Sequence, residues 1–412
     1  MQRREKESIK YRKGTKGITL IALVVTIVVL LILAGITINM LFSNGGIFKT
    51  AQDAANAWNQ AVINEQADLD NLTEQIENLV NGQTGGNTHE EPEGCPEEKF
   101  EKWNGESDDN VDAIQSTDAI PITVPVPKGY VASNVTGENT VENGFVIYEG
   151  EKEVNDTNKD TEQKTRNQFV WVPVTNPSEI YGRDENCKKW GKLYKFSETG
   201  ITPLNWTEQN GVMTITDGTS FREPDLVTGG SEYYDADNKN LQQAGLDESA
   251  TAETFRVQLE KEFNSMIASV EKYNGFYIGR YETGDLSKTE VAVVKENNDI
   301  DNQSWYTMYN KAKGIAADTN VTTTMIWGCQ WDAVMRWMYN SGDEEKKEYI
   351  YNVNEQKGNY TTKSQVTGSN PSYAINNIYD MTGNVWDRTM EVCNVYCRVY
   401  RGGLRSCESC CL

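Results

Sequence analysis

The chain has 412 residues and a formal net charge of −22. That is length enough for one large or two ordinary domains, and so acidic a surface repels phosphate backbones, which argues against nucleic acid as a partner. The single histidine, His89, rules out a Ser-His-Asp triad, a Cys-His dyad or a multi-His metal site built within one chain.

Charge is divided along the chain. Residues 1–17 carry seven basic side chains against two acids, so +5 lies at the amino end and −27 on the remainder. From Ile18 to Phe42 no residue is charged. About 20 apolar residues in helix cross the hydrocarbon core, and a basic flank stays cytoplasmic. A cleaved secretory signal would have a shorter apolar region and a small-residue cleavage site. The expectation is a basic leader at 1–17 and a single transmembrane helix at 18–42, which places the acidic remainder outside the cytoplasm.

Ser43-Asn44-Gly45-Gly46 interrupts the helical pattern. Ala51, Ala55, Trp58, Val62, Leu69, Leu72, Ile76 and Leu79 then follow steps of three and four, with Glu65 as the polar miss. This predicts an amphipathic helical stalk over 43–81, either self-associating or lying on its own domain. Residues 82–98 are polar, Gly- and Pro-bearing and acidic, and read as a flexible linker.

Beyond residue 99 short strand-like runs alternate with Gly, Asn and Asp clusters. They include Ile122–Pro127, Gly144–Tyr148, Phe169–Val174 and Phe276–Tyr281. Two helices are predicted. Ala252–Lys272 carries Phe255, Leu259, Phe263 and Ile267 at steps of four, and Trp331–Tyr339 is the second. Asn302–Asn310 and Glu344–Lys363 read as loops. The mixture predicts an irregular α+β domain, with 99–164 as a strand-rich lead-in to a domain over 165–412. Among the eight cysteines, Cys95, Cys187 and Cys329 are scattered, while five crowd the last twenty residues. That is not the spread of a secreted disulfide framework; a few buried thiols plus a terminal cluster is the plain alternative.

Two stretches resemble known families. Lys16-Gly17-Ile18-Thr19-Leu20-Ile21 resembles the type IV prepilin motif. The resemblance implies a prepilin peptidase that cuts between Gly17 and Ile18 and methylates the new terminus. Ala22 stands where most pilins have Glu, which argues against a major pilin subunit. Asn376–Glu391 (NNIYDMTGNVWDRTME) resembles the hallmark of the formylglycine-generating enzyme, or sulfatase-modifying factor, family. Arg398-Val399-Tyr400-Arg401-Gly402-Gly403 is similar to its closing motif, and the runs at 169–174, 275–284 and 329–337 fall in the family's order. The resemblance covers roughly 165–412 and implies a C-type-lectin-like α+β fold. In it Gly383 supplies a positive φ, Trp386 plugs the core and Gly402-Gly403 allow close backbone approach. The family's closing strand is missing, so the domain reads as truncated at its carboxy end. In calcium-binding relatives the turn supplies oxygen ligands; the matching positions are Asp380, the carbonyls of Gly383 and Val385, and Asp387. The plain alternative is a turn in which Asp380 caps backbone N–H groups.

Three functional readings follow. A cysteine oxidase of the formylglycine-generating type would use Cys407 and Cys411, with copper as a reasonable metal for a thiolate pair. A binding module, like the variable proteins of diversity-generating retroelements, would present Asn394, Tyr396, Cys397, Tyr400, Leu404, Arg405, Ser406, Cys407, Ser409, Cys410 and Cys411 to an external macromolecule. Asn, Tyr, Ser and Cys are residues that adenine-directed mutagenesis draws from one codon. A minor pilin or structural surface subunit is the third, with pilin subunits and membrane lipid as partners. In the membrane fraction, intact-mass analysis is expected to give a chain that starts at a methylated Ile18. A chain still starting at Met1, or cut after residue 42, contradicts the anchor.

Overall fold

The computed structural model describes residues 95–96, 101–184, 186–204, 206–209, 212–215, 238–284, 292–297, 303–316, 321–341, 344–351, 365–394 and 397–402. The chain divides into Met1–Asn87 and Thr88–Leu412. The leader, the apolar run, the stalk and most of the linker lie outside the described residues. Among the described residues no helix is long and apolar enough to cross a membrane.

Residues 111–391 form an irregular α+β structure with small sheets. Its centre is a four-stranded antiparallel sheet. Strands β3 (Tyr130–Ala132), β4 (Val146–Glu149), β5 (Gln168–Pro173) and β12 (Gly275–Gly279) lie in the order β12-β5-β4-β3. The lead-in and the domain proper therefore share one sheet. A hairpin of β1 (Val111–Gln115) and β2 (Thr123–Pro127) precedes it, and α1 (Lys159–Thr165) enters β5. Three further hairpins follow: β6 (Tyr181–Arg183) with β7 (Lys189–Gly191), β8 (Tyr194–Ser197) with β9 (Gly200–Pro203), and β10 (Trp206–Gln209) with β11 (Val212–Ile215).

The run FVWVPV becomes β5 because it is apolar on both sides. Val170 and Val172 pack with Trp331, Val334, Met335 and Met338, while Trp171 packs with Val124, Val126 and Phe145. A strand buried on both faces reads as a continuous apolar run.

After the short α2 (Asn238–Gln243), helix α3 spans Ala252–Tyr273. Thr251 and Thr254 cap its start reciprocally, and Asn274 ends it at φ 55°. Phe255, Leu259, Phe263 and Ile267 are all buried, and each contributes roughly 1.5–3 kcal/mol. They meet α4 (Trp305–Gly314) through Trp305, Tyr306 and Tyr309. Trp305 and Tyr309 stack with centroids 5.5 Å apart.

Helix α4 corrects the expected loop over 302–310. Its aromatics and Thr307 have modest helix propensity, so burial against α3, with Ser304 as N-cap, decides its form. Helix α5 covers Gly328–Ser341, and α6 (Glu344–Tyr351) replaces the first part of the second expected loop. Its buried Ile350 joins the core beneath α5. Short β13 (Ala374–Ile375) and β14 (Ile378–Tyr379) precede a last hairpin of β15 (Asp387–Asn394) and β16 (Cys397–Arg401).

Two of the scattered cysteines are joined. Cys95 and Cys187 form a disulfide with Cα atoms 5.2 Å apart, so for these two the plain alternative of buried thiols does not hold; Cys329 is free and buried. The end of the expected flexible linker is thus pinned, and Arg183 Nη1 donates to the carbonyl of Pro96 at 2.5 Å.

Beneath the sheet edge lies a buried ion pair. Arg280 Nη2 meets Glu138 Oε1 at 2.7 Å, with side-chain exposures of 3% and 5%. Glu138 also accepts from Ser133, Tyr148 and Gln163. Arg280→Met is expected to destabilise the fold by roughly 3–5 kcal/mol, because it leaves a buried carboxylate without its counter-charge. Adding Glu138→Gln should recover part of that loss. Urea denaturation of the single and double variants checks it, and strict additivity would contradict the coupling.

Candidate functional site

The turn between β14 and β15 is built from left-handed backbone. Asp380, Gly383 and Asn384 have φ of 60°, 98° and 56°. Asp380 is 2% exposed, and its Oδ2 accepts from Thr367 Oγ1 at 3.1 Å and from the Gly368 amide at 3.0 Å. Asn384 is buried and bonds to the Gln365 backbone in both directions, at 2.6 and 3.1 Å, and donates to Glu282. Glu282 also receives the Val385 amide at 3.4 Å. These bonds tie the turn to Glu282, in the chain leaving β12, and to residues 365–368.

Asp387 opens β15. Trp331 Nε1 donates to its Oδ2 at 3.4 Å. Burial raises its carboxyl to about 7; the Trp331 bond holds it down and the charge of Asp380 raises it further. Gly402 closes over the same group. At φ 76° a Cβ there would lie 2.8 Å from Asp387 Oδ2 and 3.0 Å from the Met381 carbonyl, so this position requires glycine.

Of the four residues expected to hold calcium, Asp380, Gly383 and Val385 lie in this turn and Asp387 is the first residue of β15. Asp380 and Asp387 lie close enough to repel each other, which a cation would relieve. One oxygen of Asp380 is occupied in capping Thr367 and Gly368, as the alternative reading has it. Among the described residues no group of three or more Cys, Asp, Glu or His gathers as a metal cluster.

The base of the last hairpin is a second charge cluster. Arg401 Nη2 donates to Glu391 Oε1 at 2.7 Å, and its Nε donates to Oε2. Its Nη1 donates to Asp332 Oδ1 at 2.7 Å, and the guanidinium lies over the Trp331 ring, 5.0 Å from the centroid. Asp332 Oδ2 accepts the Tyr194 amide at 2.7 Å. Strand β15 bulges between Arg388 and Val392, and this lets Thr389, Met390 and Glu391 all face protein. Trp305 Nε1 donates to the Thr389 carbonyl at 2.8 Å, and the Met390 amide donates to Ile326. Gly328 leaves room for the Glu391 carboxylate, which a Cβ there would strike.

Of the residues expected on the binding face, Asn394, Cys397 and Tyr400 lie in this hairpin. Asn394 pairs with Cys397 at its tip, and Tyr400 pairs with Arg388. Tyr396, Leu404, Arg405, Ser406, Cys407, Ser409, Cys410 and Cys411 lie outside the described residues, as do Gly17, Ile18 and Gly403. Trp386 is not a core plug. It is half-buried and lines a cavity; Trp305 and Trp327 fill the core instead.

That cavity has a volume of about 820 Å³. Its walls come from β5, α3, β12, α4, residues 321–326 and the turn at 378–388. Sequence reasoning missed Asp332 and Glu391 as partners of Arg401, and Tyr281 and Glu282 beside the turn. A lone acid within the apolar run WDAVMRW was the available signal for Asp332.

No protein-family model, curated protein or solved structure matches the chain.

Two carboxylates share one guanidinium at the hairpin base. Burial is the main force raising Asp332, to about 7; Arg401 lowers it and Glu391 raises it. A carboxyl raised from 3.8 to about 7 makes the folded chain hold a proton that the unfolded chain releases between those values. This group's contribution is therefore largest on the acid side and is lost as pH rises from about 4 to 7, by up to about 1.4 kcal/mol per pH unit. Asp332→Asn is expected to flatten that slope in urea midpoints taken at pH 5, 6, 7 and 8. An unchanged slope would show that Asp332 holds no such proton.

Proposed function

We propose that this chain is a membrane- or pilus-anchored surface protein whose C-type-lectin-like domain displays a ligand-binding face on and beyond the β15–β16 hairpin. The anchor follows from the sequence of residues 1–42, with prepilin peptidase and membrane lipid as its partners. The observation that carries the reading is the Arg401 cluster. It fixes the hairpin base with two carboxylates and a tryptophan ring, while Asn394 and Cys397 lie at the far end. A rigid base under variable side chains is what a recognition surface needs.

The Cys95–Cys187 disulfide supports an extracytoplasmic position, because such bonds persist in oxidising compartments. The partner is an external macromolecule.

Purified chain is expected to bind a cell-surface fraction. The joint replacement Asn394→Ala, Tyr396→Ala, Tyr400→Ala and Arg405→Ala should lower that binding at least about tenfold, since Tyr and Arg are common interface anchors. Sequencing of the gene across sibling cells should find changes concentrated at the face positions and Gly402 and Gly403 spared. Binding indifferent to the joint replacement, with variation spread evenly, would leave an anchored scaffold.

A further inference from the structure

The 820 Å³ cavity lies within the roughly 300–1,000 Å³ typical of small-molecule sites. Three features of its lining point to one ligand chemistry. The first is aromatic surface: Trp171, Tyr277 and Trp386 border it, beside Tyr273, Trp331 and Tyr379, whose rings already carry Lys272, Arg401 and Arg280. The faces of such rings attract cations.

The second is Asp387, which also borders the cavity. Its hydrogen bond is a single long one from Trp331 Nε1, at 3.4 Å, and the negative charge of Asp380 bears on it. The Arg401 guanidinium at the hairpin base donates to Glu391 and Asp332. The third is Tyr281. It borders the cavity, is 3% exposed, and its hydroxyl has no hydrogen-bond partner. A buried hydroxyl left unbonded is costly, and a ligand that donates to its oxygen lowers the cost.

We infer that this cavity is a binding site for a small organic ammonium ion with an apolar body, its charged head at Asp387 and its body against the aromatic wall. A metal ion would use Asp387 but leave the rings idle. A neutral apolar ligand would use the rings but leave the carboxylate uncompensated. An alkyl or aryl ammonium engages both, and its N–H groups supply donors for Asp387 and the Tyr281 hydroxyl. The site is separate from the hairpin tip, which is part of the surface-binding proposal.

The test is titration calorimetry on the full chain in detergent, with three probes: 2-phenylethylammonium chloride, 2-phenylethanol and calcium chloride. The ammonium should bind at least about tenfold more tightly than the alcohol of the same shape. Asp387→Asn, which can still accept from Trp331, should abolish that difference. Tyr281→Phe should weaken the ammonium several-fold while leaving the thermal transition unchanged or raised, because its hydroxyl has no bond to lose. This second variant keeps the test open should Asp387→Asn fail to fold. Equal affinity for ammonium and alcohol, absence of heat from the ammonium, or unchanged binding in both variants would overturn the inference. So would heat from calcium alone that disappears in Asp387→Asn, which assigns the carboxylate to a metal. Loss of the calorimetric signal leaves surface binding through the hairpin untouched, and the reverse also holds.

Discussion

The Arg280–Glu138 pair is where four distant segments are forced to agree. Glu138 lies between β3 and β4, and it gathers Ser133, Tyr148 and the α1 residue Gln163. Arg280 follows β12 and reaches Tyr148, Gln168 and, at 3.5 Å, Asn377 before β14. Neither charge can be buried alone, since desolvation of a lone ion costs several kcal/mol. The sheet edge, α1 and the β13–β14 turn are therefore satisfied together or not at all. The guanidinium also lies over the rings of Tyr281 and Tyr379, at 5.5 and 5.9 Å. Those two rings stack 4.9 Å apart and both border the cavity. One wall of the cavity is thus set by an ion pair behind it.

The Arg401 cluster solves a different problem. At Glu138 one carboxylate meets one guanidinium, and neutral donors complete the set. At Arg401 a single guanidinium serves both Glu391 and Asp332, so one negative charge is in excess and burial shifts the balance toward a proton on Asp332. The arrangement joins α5 to both strands of the hairpin. It also explains why Gly328 opens α5: it makes room for the Glu391 carboxylate.

What the sequence announced was whatever local pattern controls. Helix α3 was legible because Phe255, Leu259, Phe263 and Ile267 recur on one face. Strand β5 was legible because β-branched and aromatic residues run together between turn residues. Helix α4 was not, because its aromatics are held helical by contact with Phe255, 50 residues earlier in the chain. The disulfide was not, because pairing depends on a Cα separation that spacing in the chain does not reveal. The turn at 380–384 was flagged by Gly383, but Asp380 and Asn384 also take positive φ, and only their side-chain bonds to Thr367, Gly368 and Gln365 make that tolerable. Asp332 and Arg401 are 69 residues apart, and no local pattern ties them.

A fold of this kind needs such cross-links for a reason of scale. Most of its sheets have two strands, and an isolated two-stranded hairpin is marginal in water. Ladders this short supply few hydrogen bonds each, so order has to come from contacts between elements. The disulfide joins residues 92 apart, and in the chain-entropy account a loop of that size contributes roughly 4–5 kcal/mol. The two charge clusters add direction to that constraint, because a guanidinium fork donates to carboxylates best in its own plane. Apolar packing alone would allow the small hairpins to slide against one another. Fixing them at Cys187, Glu138 and Arg401 leaves their tips free to differ without loosening what lies below.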